Sequence, residues 1–348
     1  MTRIGTGLAA ELREAPDAVH RQADEIARPL AKLIARLAQQ PPDLVVSCAR
    51  GSSAHAATFA KHLIERYLGI PVAEAAPNIA SVYRRELQLK DQLFLAISQS
   101  GASDDLVETA AMARTAGALT VALVNDERSP LAAASDIVLP MAAGAEHSVA
   151  ATKSFISSLA ALLRMVARWT DDAKLRRGCD RLPERLAEAA KLDWSAALRP
   201  LAGAASLMAI GRGPTLAIAR EAALKLKETC ALHAEAFSSA EFRHGPIALV
   251  SQAYPVMIFA PTDESRAGLR ELVADLQRKG AFVLVAQPGS TQHETLRAIP
   301  LPAPDAEQAE ADAICLIQSF YAFLVGLAER RGTDIDAPPH LQKVTRTR

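Results

Sequence analysis

The strongest constraint on the fold is an internal repeat, because two halves of the chain align at a constant offset of 162 residues. The aligned pairs are Arg50-Gly51 with Arg212-Gly213, Leu93 with Pro255, 118–125 with 280–287, 136–140 with 298–302, and 154–167 with 316–329. One match would be chance, but four strand positions and a helix in register indicate duplication of a unit too long for a solenoid repeat. Two unrelated α/β domains are the alternative.

Short apolar runs recur in both halves, separated by amphipathic segments of helical length. The runs are rich in Leu and β-branched residues, which is typical of strands buried on both faces of a parallel sheet. The predicted strands are residues 44–48, 93–97, 119–124 and 137–139, then 206–210, 255–259, 281–286 and 299–301. The pattern predicts an α/β protein with two tandem, doubly wound parallel-sheet domains.

The segments outside the runs complete the predicted domain organisation. Charged helical sequence with Pro183 separates the two halves, and Pro41-Pro42 ends an N-terminal helical stretch. The predicted segments are a helical arm (1–42), a first domain (43–170), a helical connector (171–198), a second domain (199–331) and an extended C-terminal tail (332–348) with Lys343, Arg346 and Arg348.

Composition excludes several function classes. Lys plus Arg and Asp plus Glu both number 39, and only 4% of residues are aromatic, which argues against nucleic-acid binding. The four cysteines have no metal-ligand or redox spacing, so we expect reduced, buried thiols. The apolar stretch 313–328 falls short of the ~20 residues of a membrane span. With no signal sequence at the start, these features predict a cytoplasmic protein.

Two hydroxyl-rich loops follow predicted strands, at the sheet edge where α/β proteins bind ligands. Each contains a glycine and leads into a helix, whose N-terminus offers free N–H groups and a positive dipole end. We predict a cradle for a monoester phosphate made by Gly51, Ser52, Ser53, Ser98, Gln99, Ser100 and Ser103. The simpler interpretation is that Ser53 and Ser103 are helix N-caps.

The phosphate cradle is predicted in the first copy alone. The equivalent loop of the second copy, residues 260–265, carries Pro261, Asp263 and Glu264, which do not favour phosphate. In the first copy, Asp104 and Asp105 must point away from a bound phosphate, and Arg50 forms either a salt bridge or a ligand contact. There is no Walker or GxGxxG pattern, which argues against nucleotides.

Further motifs complete a resemblance to a known family. Together with the two loops, these motifs resemble the sugar isomerase (SIS) domain family, including the isomerase half of glucosamine-6-phosphate synthase. The matching segments are Val-Ala-Ala-Thr-Lys-Ser-Phe (149–155), Ala-Ala-Leu-Lys-Leu-Lys-Glu (222–228), His-Ala-Glu-Ala (233–236), Glu-Phe-Arg-His-Gly-Pro (241–246) and the tail 336–345. The resemblance covers nearly the whole chain and implies flavodoxin-like SIS domains that bind a sugar phosphate.

The resemblance also implies catalytic groups. Glu228 is the candidate base for proton transfer between C1 and C2, and Lys225 lies three residues earlier on the same helix face, where it supports developing negative charge. By the same resemblance, His244 opens the sugar ring, and Lys343 forms a Schiff base with the open-chain ketose in the synthase reaction. A deaminase, whose substrate already carries nitrogen at C2, can dispense with the Lys343 adduct. The alternatives are a surface Lys–Glu pair and a structural histidine; His233, on a helical segment, is interpreted as structural.

The loop after the fourth strand adds substrate contacts through Glu146, Val149 and Ala150, as the resemblance implies. The isomerase pattern begins close to Met1, with no glutaminase segment before it, which favours a stand-alone relative. Among these relatives, residues 49–53 and 337–341 most resemble the deaminase group. We therefore expect isomerising deamination of glucosamine 6-phosphate to fructose 6-phosphate and ammonia, without metal or organic cofactor. The expected assembly is a homodimer in which Glu228 and His244 of one site come from different subunits.

Three other functions stay open on sequence alone. They are a deglycase for fructosamine-type 6-phosphates, a glucosamine-6-phosphate synthase isomerase that uses free ammonia, and a sugar-phosphate-binding regulator without catalysis. A regulator has no need for Lys225, Glu228, His244 and Lys343 together, which makes it the least favoured of the three.

Overall fold

The computed structural model describes residues 6–288 and 298–343 and divides them into two compact units. The N-terminal unit contains Asp17–Glu146, Lys153–Cys179 and the tail from Gln342. The C-terminal unit contains the residues up to Pro16, His147–Thr152 and Asp180–Leu341. Of the tail residues named above, those from 344 onward, including Arg346 and Arg348, lie outside the described residues.

The helical arm is a series of short helices rather than one long helix. It consists of α1 (Thr6–Glu11), a 3-10 helix (Leu12–Glu14), α2 (Ala15–Glu25) and α3 (Ala27–Gln39). Pro16 and Pro29 lie in the first turns of α2 and α3, where a missing backbone N–H costs nothing. Gln22, fully buried, donates to the carbonyls of Met141 and Ser157 and so fixes α2 within the N-terminal unit.

The N-terminal unit is built on five parallel strands in the order β2-β1-β3-β4-β5. Every residue of β1 and β3 is buried, as expected for strands covered on both faces. The strands are β1 (Val45–Ala49), β2 (Val72–Glu74), β3 (Leu93–Ser98), β4 (Leu119–Val124) and β5 (Ile137–Pro140). The helices are α4 (Gly51–Leu68), α5 (Asn78–Ser81), α6 (Asp104–Thr115), α7 (Pro130–Ala133) and α8 (Lys153–Trp169).

The C-terminal unit has a second parallel sheet, in the order β10-β9-β8-β6-β7. Its strands are β6 (Ser206–Gly211), β7 (His233–Ser238), β8 (Pro255–Phe259), β9 (Phe282–Pro288) and β10 (Ile299–Ala303). The connector and this unit contribute helices α9 (Ala173–Ala189), α10 (Leu198–Ala202), α11 (Thr215–Cys230), α12 (Leu269–Arg278) and α13 (Ala309–Arg331). Short 3-10 helices are Ser195–Ala197, Glu241–His244, Pro246–Leu249 and Glu264–Arg266.

The two sheets confirm the duplication. With β7 in the place of β2, the strand orders are identical, and all strand pairs are parallel. Gly51 and Gly213, which the repeat aligns, have nearly the same left-handed φ, 53° and 54°. Each sheet has one strand more than predicted, and these extra strands obey the same offset, since β2 moves onto residues 234–236 of β7.

Helix α13 is the long apolar segment identified in the sequence. By length and composition it could cross a membrane, but 83% of its most apolar window is buried inside the protein. Among the helices, α11 packs most extensively against α13, and both belong to the C-terminal unit. Helix α13 is therefore a core helix of the C-terminal unit.

Candidate functional site

The loop after β1 enters helix α4 without an intervening turn. The helix begins at Gly51 with Arg50 at the N-cap, so Ser52 and Ser53 lie in its first turn. The N-cap interpretation of Ser53 is therefore wrong. Arg50 donates through Nη2 and Nε to Oδ2 of Asp105, at 2.7 and 3.1 Å, so the salt-bridge alternative is realised. Asp105 is buried in this pair, and Asp104 is exposed.

The loop after β3 folds on its own serines. Oγ of Ser98 accepts from the Gly101 N–H at 3.1 Å, and Oγ of Ser100 accepts from the Ala102 N–H at 3.3 Å. Gly101 has φ +60°, and a Cβ there would lie 2.1 Å from Oγ of Ser129, so only glycine fits. Ser103 occupies the N-cap of α6 but its side chain makes no capping hydrogen bond.

Both loops belong to the N-terminal unit and follow neighbouring strands. Since β1 and β3 pair in parallel, their carboxyl ends lie at the same edge of the sheet. The edge therefore presents two helix N-termini together with the hydroxyls of Ser52, Ser53, Ser100 and Ser103, all half-buried. Such an arrangement can bind an anion through N–H groups and hydroxyls. That these residues and Gln99 hold phosphate stays a prediction.

An acid–base cluster lies on α11 in the C-terminal unit. Nζ of Lys225 is 2.5 Å from Oε2 of Glu228 and 3.4 Å from Oε1 of Glu221. The spacings of three and four residues put all three side chains on one helix face. Lys225 is 1% exposed and Glu228 21% exposed, so this is a buried cation beneath a partly accessible carboxylate. The alternative of a surface Lys–Glu pair is wrong.

The two histidines have different settings. His244 ends the 3-10 helix Glu241–His244 and is exposed, while Phe242 in the same turn is fully buried and anchors it. His233 is the first residue of strand β7 and is exposed, so its expected helical position is wrong. The ring-opening role of His244 stays a prediction.

The tail brings Lys343 onto the loop after β5, within the N-terminal unit. Its Nζ lies 3.0 Å from Oε2 of Glu146, a fully buried carboxylate that also accepts from the N–H and Oγ of Ser154 at 3.1 and 2.6 Å. The side chain of Lys343 is three-quarters buried. The side chain of Lys343 is therefore held against the protein by Glu146, and its Schiff-base role stays a prediction.

The segment of Val149 and Ala150 belongs to the C-terminal unit. The carboxylate of Glu11 accepts from the backbone N–H groups of His147 and Ser148 just before it. Val149 is half-buried and Ala150 is buried. Their expected contact with sugar hydroxyls stays a prediction.

The four cysteines are free and buried. Desolvation by burial raises the thiol pKa to about 12 for Cys48 and Cys315 and to about 11 for Cys230. These thiols are protonated at neutral pH and are poor nucleophiles.

Sequence reasoning missed two members of the acid–base cluster. Glu221 is fully buried beside Lys225, and the hydroxyl of Tyr321 donates to its Oε1 at 3.1 Å. The spacing of four residues from Lys225 was a signal for Glu221. Tyr321 lies 100 residues away in sequence, and nothing local points to it.

Comparison with known proteins identifies the same domain family in both units. The family model described as SIS domain matches residues 42–168 and 201–325. A glutamine–fructose-6-phosphate aminotransferase (isomerizing) of Symbiobacterium thermophilum is 34% identical over 318 residues, which are 86% of this chain and 50% of that protein. The chain thus spans about half the length of the curated relatives it matches.

Solved structures extend the match. A protein of Silicibacter pomeroyi, provisionally described as a phosphosugar isomerase, superposes with a TM-score of 0.90 at 42% identity, covering 95% of this chain and 100% of its own. The C-terminal domain of a glucosamine-fructose-6-phosphate aminotransferase from Francisella tularensis gives a TM-score of 0.87 at 25% identity, covering 97% and 99%. The chain therefore belongs to the SIS domain family.

Proposed function

We propose that this protein is a sugar-phosphate isomerase that deaminates glucosamine 6-phosphate, giving fructose 6-phosphate and ammonia. The observation that carries the proposal is the Lys225–Glu228 pair, a partly exposed carboxylate 2.5 Å from a buried ammonium. A carboxylate at the surface of a buried cation is placed to take a carbon-bound proton, and the cation stabilises negative charge that develops beside it.

Substrate binding falls to the N-terminal unit in this proposal. The serine hydroxyls and helix N-termini of the loops after β1 and β3 hold the phosphate, because they offer donors without the charge of a lysine or a metal ion. Arg50 neutralises Asp105, so the charge of this carboxylate in the first turn of α6 is offset beside the phosphate.

The proton movements follow from the chemistry of an amino aldose. His244 moves the O1 proton to the ring oxygen, which opens the ring to the aldehyde, with its amine at C2. Glu228 takes the C2 proton and delivers it to C1. The amine nitrogen loses one proton as the C2–N bond becomes an imine, and O1 gains one proton, so the total is unchanged. Water adds to the imine carbon and ammonia leaves, so one water is consumed for each ammonia released.

A second candidate is the reverse use of the same groups, in which fructose 6-phosphate and ammonia give glucosamine 6-phosphate. Two observations favour it: the similarity to aminotransferases and the docked Lys343, which a ketose Schiff base needs. Lys343→Met tests for this adduct. Because the two directions of one reaction share one equilibrium constant, loss of a needed adduct should lower kcat/KM for amination and for deamination by the same factor, and unchanged rates in both directions would exclude a role for the adduct.

The test is a substrate panel with the purified full chain. Ammonia release is measured from glucosamine 6-phosphate, galactosamine 6-phosphate and amino-acid adducts of fructose 6-phosphate, and glucosamine 6-phosphate formation is measured from fructose 6-phosphate with ammonium. Release from glucosamine 6-phosphate that disappears in Glu228→Gln supports the proposal. Turnover of amino-acid adducts alone would establish a deglycase instead.

We further propose a cytoplasmic homodimer whose sites combine Glu228 and His244 of different subunits. The free thiols suit a reducing compartment. The exposed His244 is five residues before Leu249, an apolar side chain that is 58% exposed and that an interface would cover. An isologous interface would build two equal sites.

A complementation experiment tests this assembly. Glu228→Gln and His244→Ala proteins, each inactive, are mixed and allowed to exchange subunits. Shared sites restore about a quarter of wild-type activity, because random pairing gives half heterodimers with one intact site each. No recovery despite demonstrated exchange would place both groups of a site in one chain.

A further inference from the structure

The buried ammonium of Lys225 is shared unequally between two carboxylates. It lies 2.5 Å from Oε2 of Glu228 and 3.4 Å from Oε1 of Glu221. Glu221 is 0% exposed, so it would be the stronger electrostatic partner if nothing else neutralised it, because a buried carboxylate cannot turn to water. The shorter distance is nevertheless to Glu228, the more exposed of the two.

The hydroxyl of Tyr321 is a second donor to Glu221. It donates at 3.1 Å to Oε1 of Glu221, the same oxygen that faces Lys225. A hydrogen bond to a buried carboxylate oxygen satisfies part of its demand for donors. The ammonium of Lys225 is thereby left to approach Glu228.

We propose that Tyr321 is a positioning residue for the proton transfer, acting through Glu221 to hold Lys225 against Glu228. The inference rests on the proposed function, since Glu228 is the base only there. Without the hydroxyl, Lys225 moves toward Glu221, and Glu228 turns to solvent and leaves the geometry in which it meets the substrate carbon.

Packing alone does not explain a tyrosine here. Its ring lies 6.3 Å from the ring of Phe320 in α13, and the side chain is fully buried. Phenylalanine would fill the same apolar space. The neighbouring aromatic residues of α13, Phe320 and Phe323, are phenylalanines and pack against each other. The hydroxyl is therefore the feature that distinguishes this position, and it makes a hydrogen bond to Glu221.

The test is Tyr321→Phe in the full chain, assayed on glucosamine 6-phosphate. We expect kcat to fall about 10- to 100-fold, as for a displacement of about 1 Å in a catalytic group, while KM stays within about twofold of wild type. Tyr254→Phe is the control, a half-buried tyrosine of the same unit that packs against another apolar cluster and should leave kcat unchanged. Unchanged kcat in Tyr321→Phe overturns the inference.

A double variant distinguishes positioning from a general structural effect. If Tyr321 acts through Glu221, then Glu221→Gln with Tyr321→Phe has the kcat of Glu221→Gln alone, whereas multiplying losses would show an independent role and overturn the inference. A crystal structure of Tyr321→Phe gives a readout without activity. We expect the Lys225–Glu228 distance to lengthen beyond hydrogen-bond range, and a retained close contact contradicts the proposal.

The proposed function and this inference fail in different ways. Wild-type protein that neither releases ammonia from hexosamine 6-phosphates nor exchanges their C2 proton with solvent overturns the function, and the role of Tyr321 with it. An active wild type whose Tyr321→Phe variant is equally active overturns the role of Tyr321 alone.

Discussion

The two repeats have the same sheet order but differ in one aligned loop, which follows β3 in the N-terminal unit and β8 in the C-terminal unit. In the N-terminal unit, the loop from Ser98 to Ser103 has glycine at its tight turn and an N-cap serine without a capping bond. In the C-terminal unit, the loop after β8 has Asp263 at the position of Gly101, and the side chain of Asp263 accepts from both N–H and Oγ of Ser265, the residue aligned with Ser103.

A second carboxylate, that of Asp312, binds another hydroxyl of this loop. Thr262, aligned with Ser100, donates through Oγ1 to Oδ2 of Asp312 at 2.5 Å, and the other oxygen of Asp312 lies 2.7 Å from Nη2 of Arg185. The donors that a phosphate would need in the C-terminal unit are thus bound to the unit's own side chains. The two copies thus share a backbone frame, and the proposed phosphate site belongs to the copy whose loop lacks these carboxylates.

The largest expected effect comes from removing the serine hydroxyls of the open loop. Ser98→Ala with Ser100→Ala loses two hydrogen bonds to a charged group, each worth about 1.5–3 kcal/mol, so KM should rise by about 100-fold or more. The matched control is Thr262→Val in the other repeat, which should leave KM for the phosphorylated substrate unchanged. Equal KM in the serine variant and wild type would remove the distinction between the loops.

The buried ion pair of the closed loop should matter for stability instead. Arg185 and Asp312 are 3% and 5% exposed, and Asp312→Asn leaves the guanidinium buried without its counter-charge. We expect the free energy of unfolding, measured in urea, to fall by about 3–5 kcal/mol. Asp171→Asn, which breaks the pair with Arg176, removes a carboxylate that is 83% exposed and should change stability by about 0–1 kcal/mol. Equal effects would mean that Asp312 is not held as a buried anion.

Eight of the ten strands in the described part of the chain could be predicted from sequence because they are central or apolar. The two missed strands are at one edge of each sheet: β2 has three residues, two of them exposed, and β7 carries His233 and Glu235 on its exposed positions. Neither gives the continuous apolar run of a buried strand. The offset of the repeat could have found both, had it been applied to polar segments as well.

In the candidate site, residues within short motifs could be predicted from sequence, whereas contacts between residues far apart in the chain could not. The serine loops and the Lys225–Glu228 pair follow from short motifs. The alternative of an N-cap at Ser53 fails because α4 begins two residues earlier at Gly51, which the sequence does not show. The contact between Glu146 and Lys343 spans 197 residues, and the one between Glu221 and Tyr321 spans 100. Such contacts depend on tertiary packing, which no residue spacing reveals.

The smallest expected effect sharpens the comparison at the aligned turn itself. Asp263→Ala removes the carboxylate that caps Ser265, and loss of such a cap costs about 0.5–2 kcal/mol of unfolding free energy. KM should not change, because Thr262 stays bound to Asp312 and the loop gains no free anion site. Urea unfolding and steady-state kinetics on the same preparation measure both quantities. A rise in KM without loss of stability would show that the loop after β8 contacts the substrate, and the two copies would then share phosphate binding rather than divide the work.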